Sequence, residues 1–188
     1  MALSNGFGLL YYDGPKRVKR HRVSSSNGTL LGLNDPVKIR AGDGRLEIAV
    51  VGTTNPIYGV VWGLLDANEE NITTNGGTLA ASTDGYADVI IPTGHDTRFL
   101  IRSDGTNAEE DIGEFFPLIF TAAASTTDGK SRADLDTSGA VATTEQLRME
   151  DLAPVSAGGI VPTDNAHALA NAVYIVTIHE RFGQEVSI

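Results

Sequence analysis

The 188-residue chain contains no cysteine. That excludes disulfides, thiolate metal sites, iron–sulfur clusters and cysteine nucleophiles together. Aromatic residues make up only 6% of the chain, with a single tryptophan. Nowhere do about eighteen apolar residues run together, so no membrane-spanning helix is predicted. The opening MALSNGFGLLYYDG has no cation ahead of its short apolar patch, which predicts no signal peptide. Without an export signal, the glycosylation-type patterns at Asn27 and Asn71 are read as chance matches. Long amphipathic stretches are missing too; only Asp164–Ala172 and Thr144–Asp151 offer two helical turns each. Positive charge is in deficit. Fourteen Lys and Arg face twenty-four Asp and Glu for a net charge of −10, which opposes binding to nucleic acid or anionic lipid.

What is present reads as a folded β protein. A hydrophobic share of 41% is ordinary for a globular domain, and the length suits one domain at about 150 residues per domain. Short runs rich in β-branched and aromatic residues predict strands at Arg45–Val51, Ile57–Leu64, Tyr86–Ile91, Arg98–Arg102, Phe115–Thr121, Leu147–Leu152 and Ala172–His179. Turn signals separate them: Gly42-Asp43-Gly44, Asn75-Gly76-Gly77, Thr93-Gly94-His95-Asp96, Asp104-Gly105 and Ala157-Gly158-Gly159. Thr121–Thr127, a stretch of small residues, reads as a loop. Short strands without intervening helices predict an all-β fold, a single antiparallel β-barrel or sandwich domain with little helix. Trp62 lies in a run apolar on both faces and is expected in the core.

Charge is unevenly distributed. Residues 1–50 carry eight basic and four acidic side chains, while the rest of the chain carries six and twenty. Five cations crowd into Lys16–Arg22, between a Gly-Pro turn and the Ser24–Gly28 loop signal. This divides the chain into an extended basic N-terminal arm and first strand, residues 1–40, and a β-rich body, residues 41–188. The basic cluster fits two roles: a solvated arm or edge strand protected by its charges, or an arm that docks on an acidic surface. Tyr11 and Tyr12, beside these cations, either tuck against the domain or take part in an interface.

Catalytic and metal-binding patterns are scarce. His21, His95, His167 and His179 form no helical i,i+4 pair and lie in no zinc or nucleophile motif, so each is expected in a solvated or core-rim role. No Gly-x-Ser-x-Gly elbow exists, and Gly42-Asp43-Gly44 lacks the lysine and helix of a phosphate-binding loop. Asp66-Ala67-Asn68-Glu69-Glu70 opens like a calcium loop, but its sixth and twelfth positions are Asn71 and Gly77 rather than Gly and Glu. Glu109, Glu110, Asp111 and Glu114 form a second acidic cluster, expected as a solvated loop. No cofactor, metal or enzymatic activity is predicted.

A succession of segments carries a family resemblance. Val23-Ser24-Ser25-Ser26-Asn27-Gly28-Thr29-Leu30-Leu31-Gly32-Leu33-Asn34-Asp35-Pro36-Val37 is followed by Tyr58-Gly59-Val60-Val61-Trp62-Gly63. Then come Asp96-Thr97-Arg98-Phe99-Leu100-Ile101-Arg102-Ser103-Asp104, Asp111-Ile112-Gly113 and Ser131-Arg132-Ala133-Asp134-Leu135-Asp136. Leu147–Leu152 and Val173–His179 close the series. In this order, over most of the chain, the segments resemble the decoration, or cement, proteins of tailed-bacteriophage heads. The chain departs from that family in its more basic Lys16–Arg22 cluster and in Asn34, inserted before Asp35-Pro36.

The resemblance implies a structural virion protein on the outer capsid surface. It would bridge neighbouring copies of the major capsid protein as a homo-oligomer, a trimer or alternatively a dimer, with no membrane and no direct nucleic-acid partner. Capsid contact is then expected from Phe7, Leu9, Leu10, Tyr11 and Tyr12 as apolar anchors. Lys16, Arg17, Lys19, Arg20 and Arg22 would pair with capsid carboxylates. Deleting residues 1–22 is expected to abolish head binding and leave the β domain folded. The rivals are a head- or tail-attached module that binds host-surface glycan, a glycosidase using Glu109, Asp111 or Glu114, and nucleic-acid binding through the basic arm.

Overall fold

The computed structural model describes residues 7–51, 56–73, 77–139, 145–155, 161–162 and 164–179. Twelve strands lie among them. Five close a barrel in the order β2-β4-β3-β5-β6: β2 (Lys16–Val23), β3 (Pro36–Ile39), β4 (Leu46–Ile48), β5 (Gly59–Leu65) and β6 (Gly85–Pro92). Five more form an open antiparallel sheet in the order β1-β7-β12-β11-β8: β1 (Leu10–Asp13), β7 (Arg98–Arg102), β8 (Phe115–Phe116), β11 (Leu147–Leu152) and β12 (Val173–Ile178). A two-stranded ribbon of β9 (Leu118–Phe120) and β10 (Ala133–Leu135) completes the set. The fold is all-β, and among the described residues helix is limited to single 3₁₀ turns. None of these is long and apolar enough to cross a membrane.

Strand period places the core. In β12, Tyr174, Val176 and Ile178 point to one face, and Val173 and Ile175 to the other. The first face packs with Phe99, Ile101, Leu147 and Met149 against Val60 and Ile90 of the barrel, so one apolar layer joins barrel and sheet. The second face, with Leu100, is covered by Phe7 and Val161. A strand buried on both faces reads as a continuous apolar run, which Val173–Ile178 does. Inside the barrel the alternate residues of β5 and β6, Val61, Leu64, Ala87 and Val89, meet Val23, Val37 and Leu46.

The ribbon is tied to the sheet by a buried ion pair. Arg102 donates from Nε to Asp134 Oδ1 at 3.0 Å and from a terminal nitrogen to Oδ2 at 2.7 Å. Asp134 is wholly buried, and a forked pair in good geometry is what makes such burial tolerable.

Strand boundaries follow the sequence at Arg98–Arg102 and Leu147–Leu152. Phe115–Thr121, expected as one strand, is two, because Pro117 offers no N–H to a ladder; the chain there leaves β8, paired with β11, for β9, paired with β10. Neither expected helix is found. Residues 147–151 of the Thr144–Asp151 candidate lie in β11, and Asp164–Ala172 runs in turns. In the turns, Asn165 donates to the carbonyls of Ala153 and Val173 and accepts from Val173 N–H. A side chain so engaged competes with helix formation. Thr144 and the turn signals at Asn75-Gly76 and Ala157-Gly158-Gly159 lie outside the described residues.

The N-terminal stretch does not stand off as an arm over its described part. β1 pairs with β7, and β2 pairs with β6 along all eight of its residues, from Lys16↔Pro92 to Val23↔Gly85. Leu9 is fully buried between barrel and sheet. Asn34 receives this segment: at φ +65° it adopts the left-handed conformation that Asn tolerates. Its amide donates to Phe7 O, and its carbonyl accepts from Leu9 N–H. Deleting residues 1–22 would therefore remove a barrel strand and core side chains together.

Candidate functional site

β1 and β2 meet at a tight turn on Gly14, whose φ is +95°. A Cβ there would lie 2.0 Å from Asp96 O, so only glycine fits against the β6–β7 loop. The turn is closed locally: Asp13 Oδ1 accepts from Gly14 N–H, and the Tyr11 hydroxyl donates to Gly14 O at 2.6 Å.

From this turn β2 runs almost entirely exposed. It meets β4 only at Val23↔Leu46, so along Lys16–Arg22 no other described strand pairs with that edge. The five cations have different fates. Arg20 lies opposite Asp88 on β6, with Nε 2.9 Å from Oδ1, and also reaches Glu69 at 3.3 Å. Arg22 pairs with Asp84 at 3.0 Å. Lys16 packs on rings, with Nζ 3.5 Å from the Tyr11 centroid and 4.9 Å from that of Trp62. Arg17 and Lys19 have no carboxylate partner among the described residues.

Arg17 and Lys19 share their strand face with His21, whose Nε2 lies 2.8 Å from the Tyr58 hydroxyl. Burial, and secondarily the charges of Lys19 and Arg17, hold the imidazole below its usual pKa. Burial likewise raises the Tyr58 phenol, with Arg17 opposing it. The neutral pair keeps that face of the strand positive only at Arg17 and Lys19.

The ten residues expected at a contact surface thus separate. Phe7 and Leu9 are buried, which removes them from any outer surface, and Leu10 is half-buried beside Phe7. Tyr11 is half-buried, edge-on to Phe99 with centroids 6.3 Å apart. Arg20 and Arg22 are engaged by the protein's own acids. Tyr12, Lys16, Arg17 and Lys19 remain exposed.

Trp62, expected in the core, is 49% exposed. The β5–β6 register shifts between Val61 and Gly63, a bulge that turns the indole outward. Gly63 within the strand was the legible signal, since an interior glycine marks a bulge. Val18 on β2 is 48% exposed. Cations thus line both faces of β2, with exposed Val18 among them and exposed Trp62 beside Lys16; Tyr12 is exposed on neighbouring β1.

Of the acidic motifs, only Glu69 reaches these cations, through Arg20. Asp66 Oδ1 accepts from Asn68 and Glu70 N–H, a self-capped turn. Asp111 caps Ala108 N–H, and Glu109, Glu110 and Glu114 are exposed. Among the described residues no three His, Asp or Glu side chains are grouped to hold a metal. Asn27 is buried, donating to Thr29 O and accepting from Ile48 N–H. No protein-family model matches the chain, and no curated protein sequence matches it.

Proposed function

We propose that this chain is a structural protein of a tailed-bacteriophage head that binds the outer capsid surface and cements neighbouring major capsid proteins. The observation that carries the proposal is the exposed edge of β2. In a chain of net charge −10, Lys16, Arg17 and Lys19 stand without carboxylate partners among the described residues, Lys16 sharing one strand face with exposed Val18 and lying over exposed Trp62, and Arg17 and Lys19 on the other face. Aromatic side chains next to cations, on a rigid strand, suit an interface with an acidic protein surface. Many copies on a lattice convert a modest affinity per site into firm attachment. The acidic remainder of the surface keeps a densely covered particle soluble. On this reading the protein acts in the virion as a homo-oligomer, a trimer or alternatively a dimer, without enzymatic activity or cofactor.

The test is co-sedimentation with undecorated, expanded heads, comparing the wild type with a triple variant, Lys16→Glu, Arg17→Glu and Lys19→Glu. Those side chains are exposed, so their reversal leaves the barrel intact where truncation would not. Saturation of the wild type at a symmetry-related copy number, lost in the triple variant, supports cementing. A few copies per head, or undiminished binding by the variant, overturns it.

A second reading, a host-surface glycan-binding module, is favoured by Trp62, whose exposed indole beside Tyr11 and Lys16 offers a stacking platform for a sugar ring. Glycan-array binding that disappears in Trp62→Ala would decide for it.

A further inference from the structure

The outer face of the open sheet divides into two ends. One is apolar, where Phe7 and Val161 cover Leu100, Val173 and Ile175. The other is a polar cleft of about 420 Å³, within the size range of small-molecule sites.

Strand register builds the floor. Arg98 on β7 pairs with Thr177 on β12, Thr177 with Arg148 on β11, and Arg148 with Phe115 on β8. Their side chains share one face, with Arg98 and Arg148 on the strands either side of Thr177. At the ordinary strand spacing the two arginine backbones are roughly 10 Å apart, close enough for both side chains to line one cavity. Arg148 is held in place: Nε donates to Gly113 O at 3.2 Å and a terminal nitrogen reaches Glu150 at 3.5 Å. Glu150 also accepts from Thr177 Oγ1 at 2.9 Å. Arg98 has no carboxylate partner among the described residues. Asp13, across from it on β1, has one oxygen on Gly14 N–H.

The walls supply acceptors and rings. Asp96 and His95 come from the β6–β7 loop, fixed by the Thr97 hydroxyl on Pro15 O and by its contact with Gly14. His179 packs against Phe115 with centroids 4.4 Å apart and the rings tilted by 54°. The lining is mixed: two guanidiniums as donors and two carboxylates as acceptors at the same cavity, with the Thr177 hydroxyl committed to Glu150. A polyanion such as phosphate gains from the arginines but is repelled by Asp96 and Glu150. An acidic peptide side chain brings no hydroxyl donors for those carboxylates. A ligand with one negative charge and several hydroxyls satisfies both.

We propose that this cleft binds an acidic sugar of the hexuronate class, its carboxylate held by Arg98 and Arg148 and its hydroxyls donating to Asp96 and Glu150. The site uses elements other than the exposed edge of β2, so it stands whether or not that edge docks on a capsid.

The experiment is calorimetric titration of the full-length protein with glucuronate. Glucose serves as the uncharged analogue, acetate and inorganic phosphate as anions without the sugar's hydroxyl pattern. Glucuronate should bind saturably, about tenfold more tightly than glucose or either anion, and about tenfold more weakly to Arg98→Gln. Arg98 is exposed and has no ion pair among the described residues, so its substitution leaves the fold in place; Arg148→Gln, checked by thermal melting, should show the same loss. The proposal fails if glucuronate does not bind saturably. It also fails if Arg98→Gln binds it as well as the wild type, or if acetate or phosphate binds equally well. The β2 triple variant should bind glucuronate unchanged.

Discussion

Asp35 is the most exacting test of the energetics. It lies wholly buried in the turn before β3, where Oδ2 accepts from Gly32 N–H at 2.7 Å and Oδ1 has no hydrogen-bond partner. Burial raises its pKa from 3.8 to about 7, against the pull of Ser131, Gly32 N–H and the more distant Arg132 charge. Because the folded state holds the proton more tightly than the unfolded chain, the associated stability is fully present below pH 3.8 and is lost as pH rises through about 7. At about 1.4 kcal/mol per pKa unit, the loss approaches about 4 kcal/mol in mildly alkaline solution, and about 3 kcal/mol of it falls between roughly pH 5 and pH 8.

Asp35→Asn removes the titration. Its amide oxygen can take the Gly32 N–H, while its NH₂ replaces the Oδ1 that has no hydrogen-bond partner, at a cost of about 1–3 kcal/mol that does not vary with pH. The informative quantity is therefore the pH dependence of the difference between the two proteins, measured by urea unfolding across this range. The variant should gain about 3 kcal/mol on the wild type as pH rises from roughly 5 to 8. His21, whose lowered pKa makes stability fall as pH drops below 6.5, acts equally on both and cancels. Parallel stability curves would refute the burial argument for Asp35.

Breaking the Arg102–Asp134 pair by Arg102→Met leaves a wholly buried carboxylate uncompensated. Urea unfolding should register a loss of about 3–5 kcal/mol, much of it recovered in the double variant Arg102→Met with Asp134→Leu. Gly14→Ala forces a Cβ onto Asp96 O at a φ of +95°, and should lower stability by at least about 1 kcal/mol, visible in thermal melting. Trp62 is the only tryptophan, so emission from the native protein reports it directly: a red-shifted maximum quenched by acrylamide is expected, and a blue-shifted, protected spectrum would place the indole inside after all.

Fold class was legible because its signal is local. Val173–Ile178, Phe99–Ile101 and Val60–Val61 carry β-branched and aromatic residues in runs bounded by turn formers, and a strand follows wherever both faces find cover. Lys16–Val23 carried no such signal. KRVKRHRV has two apolar residues in eight, and it is a barrel strand because β6 supplies eight consecutive partners, while Asp88 of β6 and Asp84 and Glu69 of the preceding connection take up Arg20 and Arg22. Phe7 and Leu9 looked like free anchors because a short apolar patch says nothing about which layer will cover it.

Composition and residue order by themselves determined an all-β, cysteine-free chain of net negative charge with its cations concentrated near the front, since these depend on side-chain chemistry and near-neighbour spacing alone. Tertiary structure decided which of those cations are neutralised, that a bulge turns Trp62 outward, and that Asp35 and Asp134 are buried. It also brought His95 and Arg98 into one cleft with Arg148 and His179, residues far apart in the chain. Strand register carries that information, and register is set by which distant strands pair, a choice made by the burial of whole faces rather than by any one segment.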